Sequence, residues 1–258
     1  MTGVDRQDLA ILYSGGRDSL ALYALAALGN FHGVPRPKAV HMLHMLNGMG
    51  RFSDFPARRL EVAEGILRSQ GTRPEDFPQT HLVELDCGRL FQGLWLDWYE
   101  DLMPRFGGKN LVCVACKLAM HAKAVIYAVQ NYVPLVLAGY ARRQSFYPEQ
   151  TEVFMEKIAT FSHGFGVATS FPVYDEFESE EVVRHLLEDF GLPSTGGGER
   201  KCLFCQTKTT ATEKEIGAYL DQMIPKVASY IEHILEGRHK EAAGLFPPGS
   251  SPEAAEGP

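Results

Sequence analysis

The chain has 258 residues, with 25 Lys and Arg against 32 Asp and Glu and a formal net charge of −7. Apolar residues make up 45% and charged residues 22%, which excludes wholesale disorder and allows a well-buried core. No run of about 18 apolar residues is visible, so no membrane span is expected. The N-terminal stretch MTGVDRQDLAILYS has no basic n-region or cleavage site, so no secretory signal is expected. The acidic balance argues against an indiscriminate nucleic-acid coat and leaves a local basic groove open.

In chain order, DLAILYS (8–14) is a short apolar run ending at a glycine turn, which predicts a buried strand. Residues 18–31, rich in Leu and Ala, predict a helix. KAVHMLHML (38–46) is the next strand, and residues 54–69 an amphipathic helix. HLVELDC (81–87) reads as a third strand. Residues 88–103 read as one helix carrying both tryptophans, Trp95 and Trp98, with an apolar face that would suit a homodimer interface. A helix over 113–132 leads to the strand VPLVLAGYA (133–141), and another helix is expected over 149–161. VATSFPVYD (167–175) supplies a fifth strand, weakened by Pro172. Ser179 is the expected N-cap of a helix ending at 190, and a long helix covers 212–238 with Pro225 as a kink point.

Strands alternating with helices predict an α/β fold: a doubly wound, mostly parallel five-stranded sheet with helices on both faces, plus a C-terminal helix. Ligands on such sheets sit beyond the C-terminal strand ends. The expected division is a nucleotide-handling domain over 1–192, a cysteine-pair segment with the C-terminal helix over 193–246, and a disordered tail over 247–258. STGGGERK (194–201) reads as a flexible linker.

The most informative segment is Tyr13-Ser14-Gly15-Gly16-Arg17-Asp18-Ser19, placed between a buried strand and an apolar helix. Two glycines allow a tight turn and close backbone approach to an anion. The helix N-terminus adds free N–H groups and a positive dipole end. Ser14 and Ser19 bring hydroxyls and Arg17 a cation. Asp18 caps the helix or holds a Mg2+ ion bridging phosphate oxygens. Neither the Walker spacing nor the three-glycine dinucleotide spacing is present. The segment instead resembles the S-G-G-x-D-S loop of the N-type ATP pyrophosphatases, the PP-loop family, whose fold is adenine nucleotide alpha hydrolase-like. Members cleave ATP between its α and β phosphates and transfer AMP to a substrate oxygen. The resemblance implies ATP and Mg2+ as cofactors, with Tyr13 through Ser19, His41 and Gly139 as nucleotide-binding residues and Asp18 as a catalytic one. The adenine is expected against the backbone from His41 to Leu43.

There are five cysteines: Cys87, Cys113, Cys116, Cys202 and Cys205. Without an export signal the chain is expected in the reducing cytoplasm, where structural disulfides are rare. The pairs Cys113-x-x-Cys116 and Cys202-x-x-Cys205 then point to a closed Zn2+ site, to a [4Fe–4S] cluster or other sulfur site, or to independent buried thiols. Cys87 reads as a core thiol at a strand end. A PP-loop followed by two such pairs resembles the tRNA two-thiocytidine and two-thiouridine synthetases, over roughly residues 8–210. That resemblance implies a cluster ligated by Cys113, Cys116 and one or both of Cys202 and Cys205, with Cys113 and Cys202 catalytic. It also implies a tRNA or small-molecule carbonyl substrate and a sulfur donor protein or sulfide. The chain departs from the pattern at Arg17, often Lys in the family. It departs again at Tyr140-Ala141-Arg142-Arg143-Gln144, where a His- and Asp-rich stretch is usual. Arg142 and Arg143 read equally as phosphate-facing or as a solvated pair. His41 and His44, three apart on a strand, face opposite sides and read as ordinary strand residues.

The leading expectation is ATP-dependent adenylation of a carbonyl oxygen followed by sulfur transfer. The alternatives are a PP-loop amide- or nitrile-forming ligase with structural zinc, and a non-catalytic nucleotide-binding protein.

Overall fold

The structure is a computed structural model that describes residues 7–31, 36–49, 54–70, 73–107, 109, 111–194, 202 and 211–246. Cys205, the linker beyond Ser194 and the tail over 247–258 lie outside the described residues. Among those described, β1 (Leu9–Leu12), β2 (Ala39–Leu46), β3 (Gln79–Asp86), β4 (Leu135–Ala138) and β5 (Ala168–Ser170) form one sheet in the order β3-β2-β1-β4-β5. Every pairing is parallel, with Leu12 opposite Leu43 on one side and Ala138 on the other.

Strand alternation decides which helix covers which face. Leu9, Ile11, Val40, Met42 and Leu137 point to one side and pack with α1 (Arg17–Leu28), α2 (Phe55–Arg68) and α8 (Glu180–Asp189). Ala10, Leu43, Met45, Val136 and Ala138 point to the other and pack with α3 (Gly88–Leu94), α5 (Val112–Gln130), α6 (Glu152–His163) and α9 (Glu213–Leu235). The doubly wound α/β expectation is met, with all strands parallel.

Several local expectations change. Residues 88–103 are not one helix: α3 stops at Trp95, a 3-10 turn spans Leu96–Trp98, and α4 (Tyr99–Arg105) follows. The Trp95 backbone leaves helical values (φ −142°, ψ −55°), and its buried indole lies edge-on to Tyr219 of α9, 5.5 Å between centroids. Leu90, Phe91 and Leu94 are spent on the chain's own core, so the apolar face expected for a dimer is covered. The fifth strand is only three residues long, because Pro172 opens α7 (Pro172–Glu176) at a position where proline is at home. The long C-terminal helix runs through Pro225 and starts with a capping box between Thr212 and Glu215. A shorter α10 (His239–Leu245) follows it. Ser179 caps α8 as expected, accepting from the Val182 N–H at 3.3 Å.

By length and composition α5 would pass as a membrane span, contrary to the sequence reading, because its Ala, Val and Leu residues outweigh Lys117 and Lys123. It is a core helix here, with Leu118, Ala119, Ala122 and Val125 buried between the sheet and α9.

The sheet's strand order reverses at β1 and β4, and a crevice opens beyond their C-terminal ends. Gly139, just past β4, lets the first turn of α1 come close: a Cβ there would lie 3.0 Å from Ser19 N and 3.1 Å from the Asp18 carbonyl carbon. Both neighbours are backbone and cannot swing aside. Gly139→Ala should therefore cost about 1–3 kcal/mol of stability, seen as a lower urea midpoint; an unchanged midpoint would show that α1 has room to retreat.

Candidate active site

The β1–α1 connection is shaped by its own sequence and by two residues of α2. Gly15 adopts φ +81°, a left-handed value that disfavours any side chain. Ser14 Oγ accepts from the Gly16 N–H at 3.1 Å, and Ser19 Oγ donates to the Gly16 carbonyl at 3.2 Å. The Tyr13 hydroxyl donates to the Pro56 carbonyl at 3.0 Å, and Arg59 Nη1 donates to the Gly15 carbonyl at 2.9 Å. Arg59 Nη2 also donates to the Pro193 carbonyl at 2.7 Å. On the other side His44 Nδ1 donates to the Tyr13 carbonyl at 3.0 Å. The loop is thus fastened before any anion arrives, and its helix N-terminus stays free of a side-chain cap.

Beside this loop lies a cavity of about 310 Å³, within the range of small-molecule sites. Tyr13, Ser14, Gly16, Asp18, Ser19 and Gly139 line its phosphate-loop end. His44, Met45 and Asn47 enter from the end of β2. Cys113, Cys116, Lys117 and Met120 enter from α5, joined by Cys202. Tyr140, Gln144, Glu149 and Gln150 come from the connection after β4. Residues 14 and 202, distant in sequence, thus share one space.

Three of the residues expected to bind nucleotide do not line this cavity. His41 does not line the cavity: its Nδ1 lies 2.8 Å from the Tyr127 hydroxyl and its Nε2 3.5 Å from Asp8, because it sits near the N-terminal end of β2. The β2 residues that reach the cavity are His44 and Met45, at the end where ligands approach a parallel sheet. Arg17 does not line it either; its guanidinium pairs with Glu180 in the first turn of α8. Gly15 contributes the turn rather than the lining.

The cation nearest Asp18 comes instead from the connection after β4. Arg143 Nη2 lies 2.6 Å from Asp18 Oδ1, and both side chains are largely buried. Arg143 Nε and Nη1 are buried without a hydrogen-bond partner. Its neighbour Arg142 is exposed, pairs with Glu152 at 3.2 Å and lies over the Tyr174 ring. The two arginines that sequence could not separate therefore differ in role. Asp18 is the acidic residue lining the phosphate-loop end. One carboxylate suits Mg2+ when phosphate oxygens and water complete its shell, the usual mode for that ion.

The thiols share the other end. Burial pushes the Cys113 thiol up to about 12. It also raises Cys116, opposed by a hydrogen bond from Asn47 Nδ2 at 3.3 Å and by the charge of Lys117. Cys87, a core thiol as expected, is likewise pushed by burial to about 12. A closed zinc site needs four donors converging on one point. Among the described residues no three His, Cys, Asp or Glu side chains converge in that way.

Asn47, Arg59 and Glu149 were missed as site residues from sequence. Each sits outside a motif, and the only signal for Arg59 is a charge on what becomes the buried side of an amphipathic helix.

In metal-free protein, Cys113 should be alkylated by iodoacetamide slowly from pH 7 to 9, because the reactive thiolate forms only as pH approaches its raised pKa of about 12. Peptide mass spectrometry reads the rate; fast labelling at neutral pH would contradict the burial assigned to it.

No family model matches the chain, and no curated protein matches it. Among solved structures, it is similar to the U34-tRNA thiolase NcsA from Methanococcus maripaludis with its [4Fe–4S] cluster, at 17% sequence identity and a TM-score of 0.42, over 93% of this chain and 75% of that one.

Proposed function

We propose that this chain is an ATP-dependent sulfurtransferase of the PP-loop kind. The observation that supports it is a single cavity lined both by the Ser14–Ser19 loop and by Cys113, Cys116 and Cys202. A loop of that form suits the triphosphate of ATP, and a thiol site has no part in simple nucleotide binding.

In this reading the helix N-terminus, Ser14, Ser19 and the Asp18–Arg143 pair hold the phosphates with Mg2+. The substrate's carbonyl oxygen attacks the α-phosphorus. The bond to the β-phosphate oxygen breaks, and pyrophosphate leaves with its electron pair. AMP is then bonded to the former carbonyl oxygen, which becomes a good leaving group. Fixed dipoles at the loop stabilise the charge that develops on phosphate. Hydrosulfide sulfur next forms a bond to the activated carbon, the carbon–oxygen bond breaks as AMP departs with its electron pair, and loss of the S–H proton leaves the thiocarbonyl; a persulfide donor would in addition need a second thiol to cleave its S–S bond and leave with the inner sulfur as a disulfide. Cys113, Cys116 and one of Cys202 and Cys205 would hold a [4Fe–4S] cluster, which with three cysteine ligands would keep one iron open to sulfide. Lys117, whose Nζ lies 5.5 Å from the Tyr140 ring centroid, places a cation beside these thiols. The acceptor is a tRNA base or a small carbonyl compound.

Incubation of ATP with an acceptor should yield AMP and pyrophosphate, and anaerobically prepared protein should contain iron and acid-labile sulfide. Orthophosphate and ADP as products would contradict the reading. Asp18→Asn should lower pyrophosphate release by about a hundredfold or more. Cys116→Ser should keep pyrophosphate release while losing the thiolated product. Amide formation with ammonia, unaffected by Cys116→Ser, would favour a ligase instead.

A further inference from the structure

The cavity contains one group that the proposed chemistry leaves without a task. Glu149 lies in the 3-10 turn Pro148–Gln150, lines the cavity, and is 5% exposed. Its Oε2 is buried and has no hydrogen-bond partner. An unsatisfied buried acceptor costs about 1–3 kcal/mol, more when charged, so its retention calls for a donor arriving from outside the fold.

The turn that carries it is held in place. Gln150 Oε1 accepts from the Ala141 N–H at 2.9 Å, and Gln150 Nε2 donates to Gln144 Oε1 at 2.7 Å. The Thr151 hydroxyl donates to the Pro148 carbonyl at 3.0 Å. Glu149 is therefore presented from a fixed position, as a recognition group must be.

The donor is not the nucleotide's phosphate chain, which is anionic and offers only acceptors. The acceptor substrate, whose reacting carbonyl lies between the phosphate loop and the thiols in the sulfurtransferase reading, can supply one. Glu149 lines the same cavity as Cys113, Cys116 and Lys117. A cyclic amide carries C=O and N–H on adjacent atoms, so its ring can offer both to one small cavity. We propose that Glu149 is a specificity-determining residue whose Oε2 accepts a hydrogen bond from an N–H beside the reacting carbonyl. This rests on the sulfurtransferase reading for the identity of the acceptor site. The site then favours –NH–C(=O)– rings over isosteres in which that nitrogen is blocked.

Binding rather than turnover provides the test. With the full chain saturated by α,β-methylene-ATP, titration calorimetry compares uridine with 3-methyluridine, in which a methyl group replaces the ring N–H. Wild-type protein should bind uridine at least about tenfold more tightly, the worth of one hydrogen bond. Glu149→Ala should weaken uridine binding by about the same factor, reduce the difference to below about twofold, and leave affinity for the ATP analogue unchanged. Glu149→Gln, which keeps an acceptor oxygen, should fall between the two. Equal binding of both nucleosides to wild type, binding of neither, or an undiminished preference in Glu149→Ala would overturn the assignment. The wild-type comparison stands even if a variant fails to fold. A failure to release pyrophosphate would refute the catalytic reading while leaving this binding result intact.

Discussion

The site depends on one close approach: the first turn of α1 against the glycine that follows β4. Gly139 has no Cβ to hold off the Ser19 and Asp18 backbone. That contact sets the helix N-terminus at the reversal of strand order, where a parallel sheet exposes its binding edge. It also brings the connection after β4 within reach of the loop, which is why Arg143 can bond Asp18 and why Gln144, Glu149 and Gln150 line the same cavity. The fastening from the opposite side comes from α2, through Pro56 and Arg59. Arg59 reaches the loop and Pro193 together, so the phosphate loop and the start of the path to Cys202 share one buried guanidinium.

The two ends of the cavity differ in what lines them. The loop end presents N–H groups, hydroxyls and a balanced Asp–Arg pair, suited to polyphosphate. At the thiol end burial favours the protonated form of Cys113 and Cys116 when nothing is bound. Buried thiols of this kind are poor nucleophiles by themselves. Metal coordination deprotonates a thiol outright, which gives a physical reason for thiols to be both buried and grouped. His121, wholly buried behind them, is pushed by burial down to about 3 and stays neutral, its Nε2 2.8 Å from the Tyr140 hydroxyl. His121 therefore adds no charge to those that Lys117 and Glu149 bring to the thiols.

Much of this was legible in the sequence, for identifiable reasons. The β1 run, the double glycine and the apolar helix after it carry local signals strong enough to place the loop. The continuous apolar runs at Leu9–Leu12 and Ala39–Leu46 mark strands buried on both faces. The misreadings share a cause in tertiary packing. Trp95 breaks its helix because its indole is captured by Tyr219, a partner 124 residues away in the chain. Arg17 looked like a phosphate ligand until α8 placed Glu180 beside it. His41 is on the right strand but three residues before His44, toward the end away from the cavity. Arg59 and Glu149 carry no motif, and only burial shows that their charges face inward.

The central claim is that one cavity serves both nucleotide and sulfur. A crystal structure with α,β-methylene-ATP tests it most directly. The account predicts the β-phosphate seated on the N-terminus of α1 beside Gly16, with the α-phosphorus facing the space lined by Cys113 and Cys116. A nucleotide bound elsewhere, or an α-phosphate turned away from those thiols, would contradict it.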